Sequence, residues 1–458
     1  MNEDRLFKLG SGATRLTVPV YRVSTYGGTS TRRAELASDS KALDPPVEEA
    51  AGVGDRTYKL SSGRIPIPRT IWQDRNILSS RFAMSEARMS VSYIALLGIL
   101  GAGLVAVSGL LVWRKLLQRR LLALTPIDPD QGVQDLHHVE IGGITQAISV
   151  RGHDRDAPLL LYLHGGPGEP FLASVRVYLP ELEHVYTVAY WAQRGTAGSF
   201  RRPFPSETMT VEQMFADTHA VVEWLCEHYG REKLVLMAGS WGTVLGAVTA
   251  ARYPERFLAY IARSQCVDLG EADAFAARWA LERATENGDD AVVRRIQRVA
   301  ASGQPTALQG FRIAADIARY GGYAEKGARA NGPNLPVSIL GQLWGCPELS
   351  LADLLHALTN PLFAAIRLWG PTQGFKVDEL APRIEVPVYL LQGRDDIVAP
   401  TFLVERYFEA LEAPAGKRLV IFENSQHLAH LTEREAYLSW LLERIPNELG
   451  LEPVNGSP

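Results

Sequence analysis

Cysteine is scarce in this chain. Cys226, Cys266 and Cys346 are the three in 458 residues. Their odd number and wide spacing suggest neither a disulfide framework nor a metal knot, and buried free thiols are expected. Asp, Glu and His residues nowhere cluster at ligand spacing, so no metal and no organic cofactor is called for. Charge of one sign is lacking too: a net charge of −4 gives no electrostatic basis for a nucleic-acid partner. From Met1 to about Ala83 there is no sustained apolar period, only a composition rich in Arg, Ser, Gly and Pro. Residues 1–90 are therefore expected to be a disordered leader. It resembles a transit peptide loosely, because Glu3, Asp4, Glu35, Glu48 and Glu49 intrude. A second reading starts the natural chain at Met84 or Met89.

Apolar residues, by contrast, are plentiful. At 46% of the sequence they suffice for a sizeable core, and one large α/β domain with accessories accounts for the length. Val91 to Trp113 holds 23 residues without a charge, long enough at the helical rise to cross a hydrocarbon core of roughly 30 Å. Tyr93 and Trp113 sit near its ends, where aromatic rings prefer the interface. No small-residue cleavage site follows; Arg114, Lys115, Arg119 and Arg120 do. Residues 91–113 thus read as a single transmembrane helix whose partner is the lipid bilayer. Four basic residues after it face Arg75, Arg81 and Arg88 before it, a lean toward a cytoplasmic catalytic part. Ala95, Gly98, Ala102, Ala106 and Gly109 share one face, which would permit a homodimer through this helix. Residues 114–136 read as a linker.

The stretch around which the remainder is organised is Lys233-Leu-Val-Leu-Met-Ala-Gly239-Ser240-Trp241-Gly242. Leu234 to Ala238 reads as a buried strand, and Thr243 to Arg252 as an Ala-rich helix. A serine on such a sharp strand-to-helix turn is pushed out of the sheet with a helix N-terminus behind it, so Ser240 is the candidate nucleophile. Upstream, two alternating runs flank Gly142-Gly143 as a hairpin between His138 and Val150. The buried strand Pro158–Leu163 runs straight into His164-Gly165-Gly166-Pro167-Gly168. A Gly-rich loop at a strand's carboxyl end aims free N–H groups at the crevice where open α/β sheets bind ligands, and such donors can stabilise an oxyanion. A strand at Val185–Tyr190 leads to Gln193-Arg194-Gly195 and Gly198-Ser199, and an amphipathic helix covers Thr210–His228.

The order strand, HGGPG, strand, QRG-x-x-G-S, helix, GSWG resembles the α/β-hydrolase superfamily. More narrowly it is similar to the proline iminopeptidase-like branch, with its HGGPG, DQRG-x-G-x-S and GGSWG motifs. Two positions depart: Ala192 replaces the acid of the second motif, and Ala238 the first elbow Gly. The resemblance implies an α/β fold with a mostly parallel central sheet and an inserted helical cap, here preceded by one transmembrane helix. Core is expected over 137–266 and 377–447, cap over 267–376 and a tail over 448–458. Cap helices are expected at Glu271–Thr285, Ala291–Ala301 and Leu349–Trp369.

After the strand Val386–Gln392 comes Gly393-Arg394-Asp395-Asp396, where an acid is well placed to orient a histidine. Family spacing selects Asp396 over Asp395. After the strand Arg418–Phe422, the family's Gly-His ending selects His427, with Gln426 in place of the Gly and His430 as the understudy. Thr432 and Glu435 read as a capping box for a closing helix. Ser240, Asp396, His427 is the chain order of an α/β-hydrolase triad, with Gly166 and Trp241 as the implied oxyanion donors. Aminopeptidase relatives hold the substrate amine with cap glutamates, one in a W-x-x-W-E motif that is missing here. Glu282 and Glu348 stand near tryptophans but read as solvated, so no substrate-binding residue is named. The expected activity is a membrane-anchored serine hydrolase acting on a small molecule or short peptide, as an aminopeptidase or an esterase/amidase. The alternative is an anchored, non-catalytic binding scaffold. Dehalogenase and epoxide hydrolase chemistry is disfavoured because the elbow carries Ser rather than Asp.

Overall fold

A computed structural model describes residues 70–168, 178–303, 305–324, 343–359 and 362–451. The expected leader up to residue 69 and the tail from residue 452 lie outside them. The first element is one long helix, α1 (Thr70–Leu124). It corrects two expected boundaries, the leader ending at residue 90 and the linker starting at residue 114. Residues 70–90 and 114–124 contain no Gly or Pro, and a helix once nucleated propagates through such sequence at little cost. It stops before Thr125, which precedes Pro126 and is thereby biased away from helical backbone.

Within α1, Ser92–Leu124 is long and apolar enough to cross a membrane. Every large apolar side chain from Tyr93 to Trp113 is exposed. A helix that is apolar all round and packs into no core is the pattern of a candidate bilayer span, not of a soluble core helix.

Eight strands form one sheet: β1 (Val133–Ile141), β2 (Ile144–Gly152), β3 (Leu159–Leu163), β4 (Thr187–Trp191), β5 (Leu234–Gly239), β6 (Phe257–Arg263), β7 (Val388–Gly393) and β8 (Lys417–Phe422). Their spatial order is β1-β2-β4-β3-β5-β6-β7-β8. β1 and β2 make the expected hairpin, β2 meets β4 antiparallel, and all pairings from β4 through β8 are parallel. Along β3, Leu159, Leu161 and Leu163 join the core on one face while Leu160 and Tyr162 join the other. Covered faces on both sides are why these strands read as unbroken apolar runs.

Helix α2 (Val211–His228) starts at Thr210, whose hydroxyl accepts the Gln213 N–H, and α3 (Gly242–Arg252) follows the Ser240 turn. Between β6 and β7 lies the helical insertion: α4 (Leu269–Glu286), α5 (Asp290–Ala301), α6 (Ala307–Arg319), α7 (Leu351–Thr359) and α8 (Phe363–Thr372). Ala276, Ala280, Val292, Ile296, Ile313 and Ile317 give α4–α6 a small core of their own. The one helix expected over Leu349–Trp369 is thus two, α7 and α8, on either side of Pro361. Helix α6 was not expected, although Thr306 and Gln309 form a capping box at its start. The capping box expected at Thr432 is replaced: Thr432 closes a short turn of helix and its Oγ1 pairs with Ser425 Oγ at 2.7 Å. Helix α9 (Thr401–Ala410) follows β7.

Candidate active site

Ser240 sits directly after β5 in left-handed backbone, φ 51°, a conformation costing a non-glycine residue of order 1–3 kcal/mol unless its surroundings hold it. They do. Its N–H donates to the Arg263 carbonyl at 2.9 Å, and the Thr243 hydroxyl donates to its carbonyl at 2.6 Å. Gly242 fixes the turn against the neighbouring loop, because a Cβ there would stand 2.3 Å from the Leu163 carbonyl oxygen. The result is a half-buried hydroxyl at the carboxyl edge of the sheet.

His427 Nε2 lies 3.1 Å from that hydroxyl. Its Nδ1 lies 2.9 and 3.1 Å from the two Asp396 oxygens. A carboxylate only accepts, so Nδ1 carries the proton and Nε2 is left to accept from Ser240. Asp396 is held in turn by the N–H groups of Val398 and Ala399, at 2.9 and 2.8 Å. The His427 carbonyl accepts from Ser264 Oγ at 3.0 Å and from Arg263 Nη1 at 3.1 Å. Tyr323 and the imidazole meet in a T-shaped contact, with centroids 5.7 Å apart at 82°. Asp395 is exposed. His430 is half-buried beside Tyr178 and Tyr437, held neutral by desolvation and by the nearby positive charge of Arg263. The bonds to Ser240 and Asp396 belong to His427.

Gly166 is at φ 115°, open only to glycine in practice. Among the described residues, no protein acceptor takes the N–H of Gly166 or of Trp241. His164 behind them is structural: Nδ1 bonds the Gly165 carbonyl at 2.8 Å and Nε2 accepts the Gln193 N–H at 3.2 Å. Burial drops its pKa to about 4, which keeps the ring neutral. The Gln193 amide returns a bond to the His164 carbonyl at 2.8 Å, so the two Gly-containing loops are laced together. Arg194 anchors the second loop by gripping Asp217 at 2.6 and 3.0 Å, both groups fully buried.

The two departures from the family motifs are accommodated. Where an acid is missing at Ala192, its N–H donates to the Ala147 carbonyl at 2.9 Å and its carbonyl accepts from Ser199 Oγ. The methyl of Ala238 fits because Gly246 opposite has none; a Cβ there would lie 3.0 Å away.

Four groups at the site escaped the sequence reading: Arg263, Tyr323, Cys266 and Asp273. The Cys266 N–H donates to the Thr243 hydroxyl at 2.9 Å, and burial raises the thiol's pKa to about 12. It stays protonated and does not compete as a nucleophile. Asp273, in the first turns of α4, accepts from Gln373 Nε2 at 2.9 Å. Its charge is felt by Cys266, and desolvation lifts its own pKa to about 6. The signal available in sequence was slight, an acid among alanines just past the N-cap Asp268. Glu282 is exposed, and Glu348 accepts from Cys346 Sγ at 3.1 Å, on the side facing α1.

The model of the alpha/beta hydrolase fold family matches residues 158–434. The chain belongs to that family. A Bacillus subtilis (strain 168) protein named "Probable aminopeptidase YbaC" is 28% identical over 320 residues, spanning 69% of this chain and 97% of its own. It agrees with the proline iminopeptidase-like branch that the motifs resemble. Among solved structures, VinJ superposes with a TM-score of 0.50 at 20% identity, over 69% of this chain and 99% of its own. A proline iminopeptidase of Mycobacterium smegmatis gives 0.48 at 19% identity over the same shares.

Proposed function

We propose that this hydrolase is a membrane-anchored serine enzyme with aminopeptidase specificity. The observation that carries the serine mechanism is the continuous hydrogen-bonded relay from Ser240 through His427 to Asp396. A serine hydroxyl attacks poorly at neutral pH because its proton must leave at the same time. His427 Nε2 takes that proton as Oγ adds to the substrate carbonyl, and Asp396 favours the imidazolium that results. The oxyanion is received by the N–H groups of Gly166 and Trp241, where loss of one donor costs about 3–4 kcal/mol. His427 then protonates the leaving group, an acyl-Ser240 forms, and water releases it by the same steps reversed.

Asp273 favours a peptide over a simple ester. A half-buried carboxylate within electrostatic reach of Cys266, which bonds Thr243 in the turn that carries the nucleophile, is costly unless a cation joins it. The free ammonium of a substrate's first residue supplies that cation. Anchoring rests on the exposed apolar stretch Tyr93–Trp113 of α1. The test is a comparison of substrates. Prolyl- and alanyl-arylamides should be hydrolysed in preference to their N-acetylated forms and to neutral aryl esters; turnover confined to the neutral esters would move the assignment to an esterase.

A further inference from the structure

Arg114 is the first charged residue past the apolar run, yet it does not reach water. It is 6% exposed, with Nε donating to the Trp344 carbonyl at 3.0 Å and Nη2 to the Leu349 carbonyl. One turn on, Gln118 donates to the Cys346 carbonyl at 3.1 Å. Leu117 and Leu121 are buried on the same face. The approach requires Gly345, where a Cβ would stand 2.6 Å from Leu117 Cγ. Trp113 stacks on Trp344 with centroids 6.2 Å apart. Helical spacing puts these stem residues in one stripe, so α1 leaves its apolar run already docked on residues 344–349 of the insertion.

That junction sets a distance. From Trp113 to Leu121 is eight residues, about 12 Å along a helix, and the head-group zone of a leaflet is roughly 5–7 Å deep. Residues 344–349 therefore lie at or just below the lipid head groups if α1 spans. Helix α7 begins two residues later. Its outward face is Leu351, Ala352 and Leu355, with the two leucines 48% and 59% exposed. Its acid is turned inward: Asp353 is buried and bonds Ser350 and Arg201. A helix facing water carries the opposite pattern. Exposed Leu116, Lys115, Arg119 and Arg120 on the adjoining stem offer the mixture of apolar and basic groups suited to an anionic lipid surface.

We infer that the Leu351–Leu355 face of α7 is a second membrane contact, seated in the head-group region of the bilayer that α1 crosses. This inference rests on the reading of α1 as a span. The full chain is reconstituted in phosphatidylcholine/phosphatidylglycerol vesicles with an environment-sensitive fluorophore on L355C, on V107C in the span, or on E409C in α9 beside the opposite edge of the sheet. Nitroxide lipids labelled at the head group should quench the probe at 355 at least twofold more than the probe at 409. Equal quenching at 355 and 409, with acyl-chain nitroxides still quenching at 107, overturns the second contact alone. Absence of quenching at 107 overturns the anchor and this inference together.

Discussion

The Asp273 carboxylate accepts a 2.9 Å hydrogen bond from Gln373 Nε2, joining the first helix of the insertion to the segment that closes it. This bond spans 100 residues of sequence and fixes an acid whose charge reaches Cys266, a residue whose N–H holds the Thr243 hydroxyl that in turn bonds the Ser240 carbonyl. If that acid receives a substrate ammonium, Asp273→Asn removes a charge-assisted bond of about 1.5–3 kcal/mol. For aminoacyl arylamides, kcat/KM should fall roughly tenfold to a hundredfold, chiefly through KM. Turnover of neutral aryl esters should hardly change. Equal losses on both substrates would point to a structural role.

The pH dependence has a definite sign. Desolvation raises the Asp273 pKa from 3.8 to about 6, so between those values the folded state binds more protons than the unfolded one. Stability then falls as pH rises through this window. Asp273→Asn should therefore stabilise the fold by about 1–2 kcal/mol at pH 7.5, after allowance for solvent screening. That gain should vanish below pH 4. Paired urea titrations of wild type and variant at the two pH values measure it.

Asp217 meets Arg194, Gln146 and Gln213 in a fully buried site. Removing one partner of such a pair strands the other charge, so Asp217→Ala should destabilise the fold by about 3–5 kcal/mol. Chemical denaturation gives the value directly. A change under 1 kcal/mol would mean that water replaces the carboxylate.

Cys266 should be inert as a thiol. With its pKa near 12, iodoacetamide at pH 8 should leave it unmodified in the folded chain and alkylate it only after denaturation, as peptide mass spectrometry will report.

Much of the fold was legible because the physics was local. β3 and β5 are unbroken apolar runs closed by His or Gly, β7 is apolar up to Gln392, and the triad residues follow strand ends in a fixed chain order. Residues 114–124 misled because Arg114, Lys115, Arg119 and Arg120 look like a solvated linker. The carbonyls that receive Arg114 are 230 and 235 residues away, a tertiary fact with no trace in spacing. Asp273 was missed for a similar reason: an acid early in a helix is ordinarily a surface residue favoured by the helix dipole. Only the fold brings Gln373 and Cys266 to it. The break between α7 and α8 was within reach, since Pro361 stands in the middle of the expected helix.

The most direct test is covalent. The full-length chain in detergent or vesicles is treated with a fluorophosphonate probe, digested and mapped by mass spectrometry, with Ser240→Ala alongside. A single adduct on Ser240 is predicted, absent from the variant, whose amidase activity should drop about 10⁴-fold or more. A folded wild-type chain that takes up no probe, or takes it at another residue, would contradict the serine relay and favour a binding scaffold.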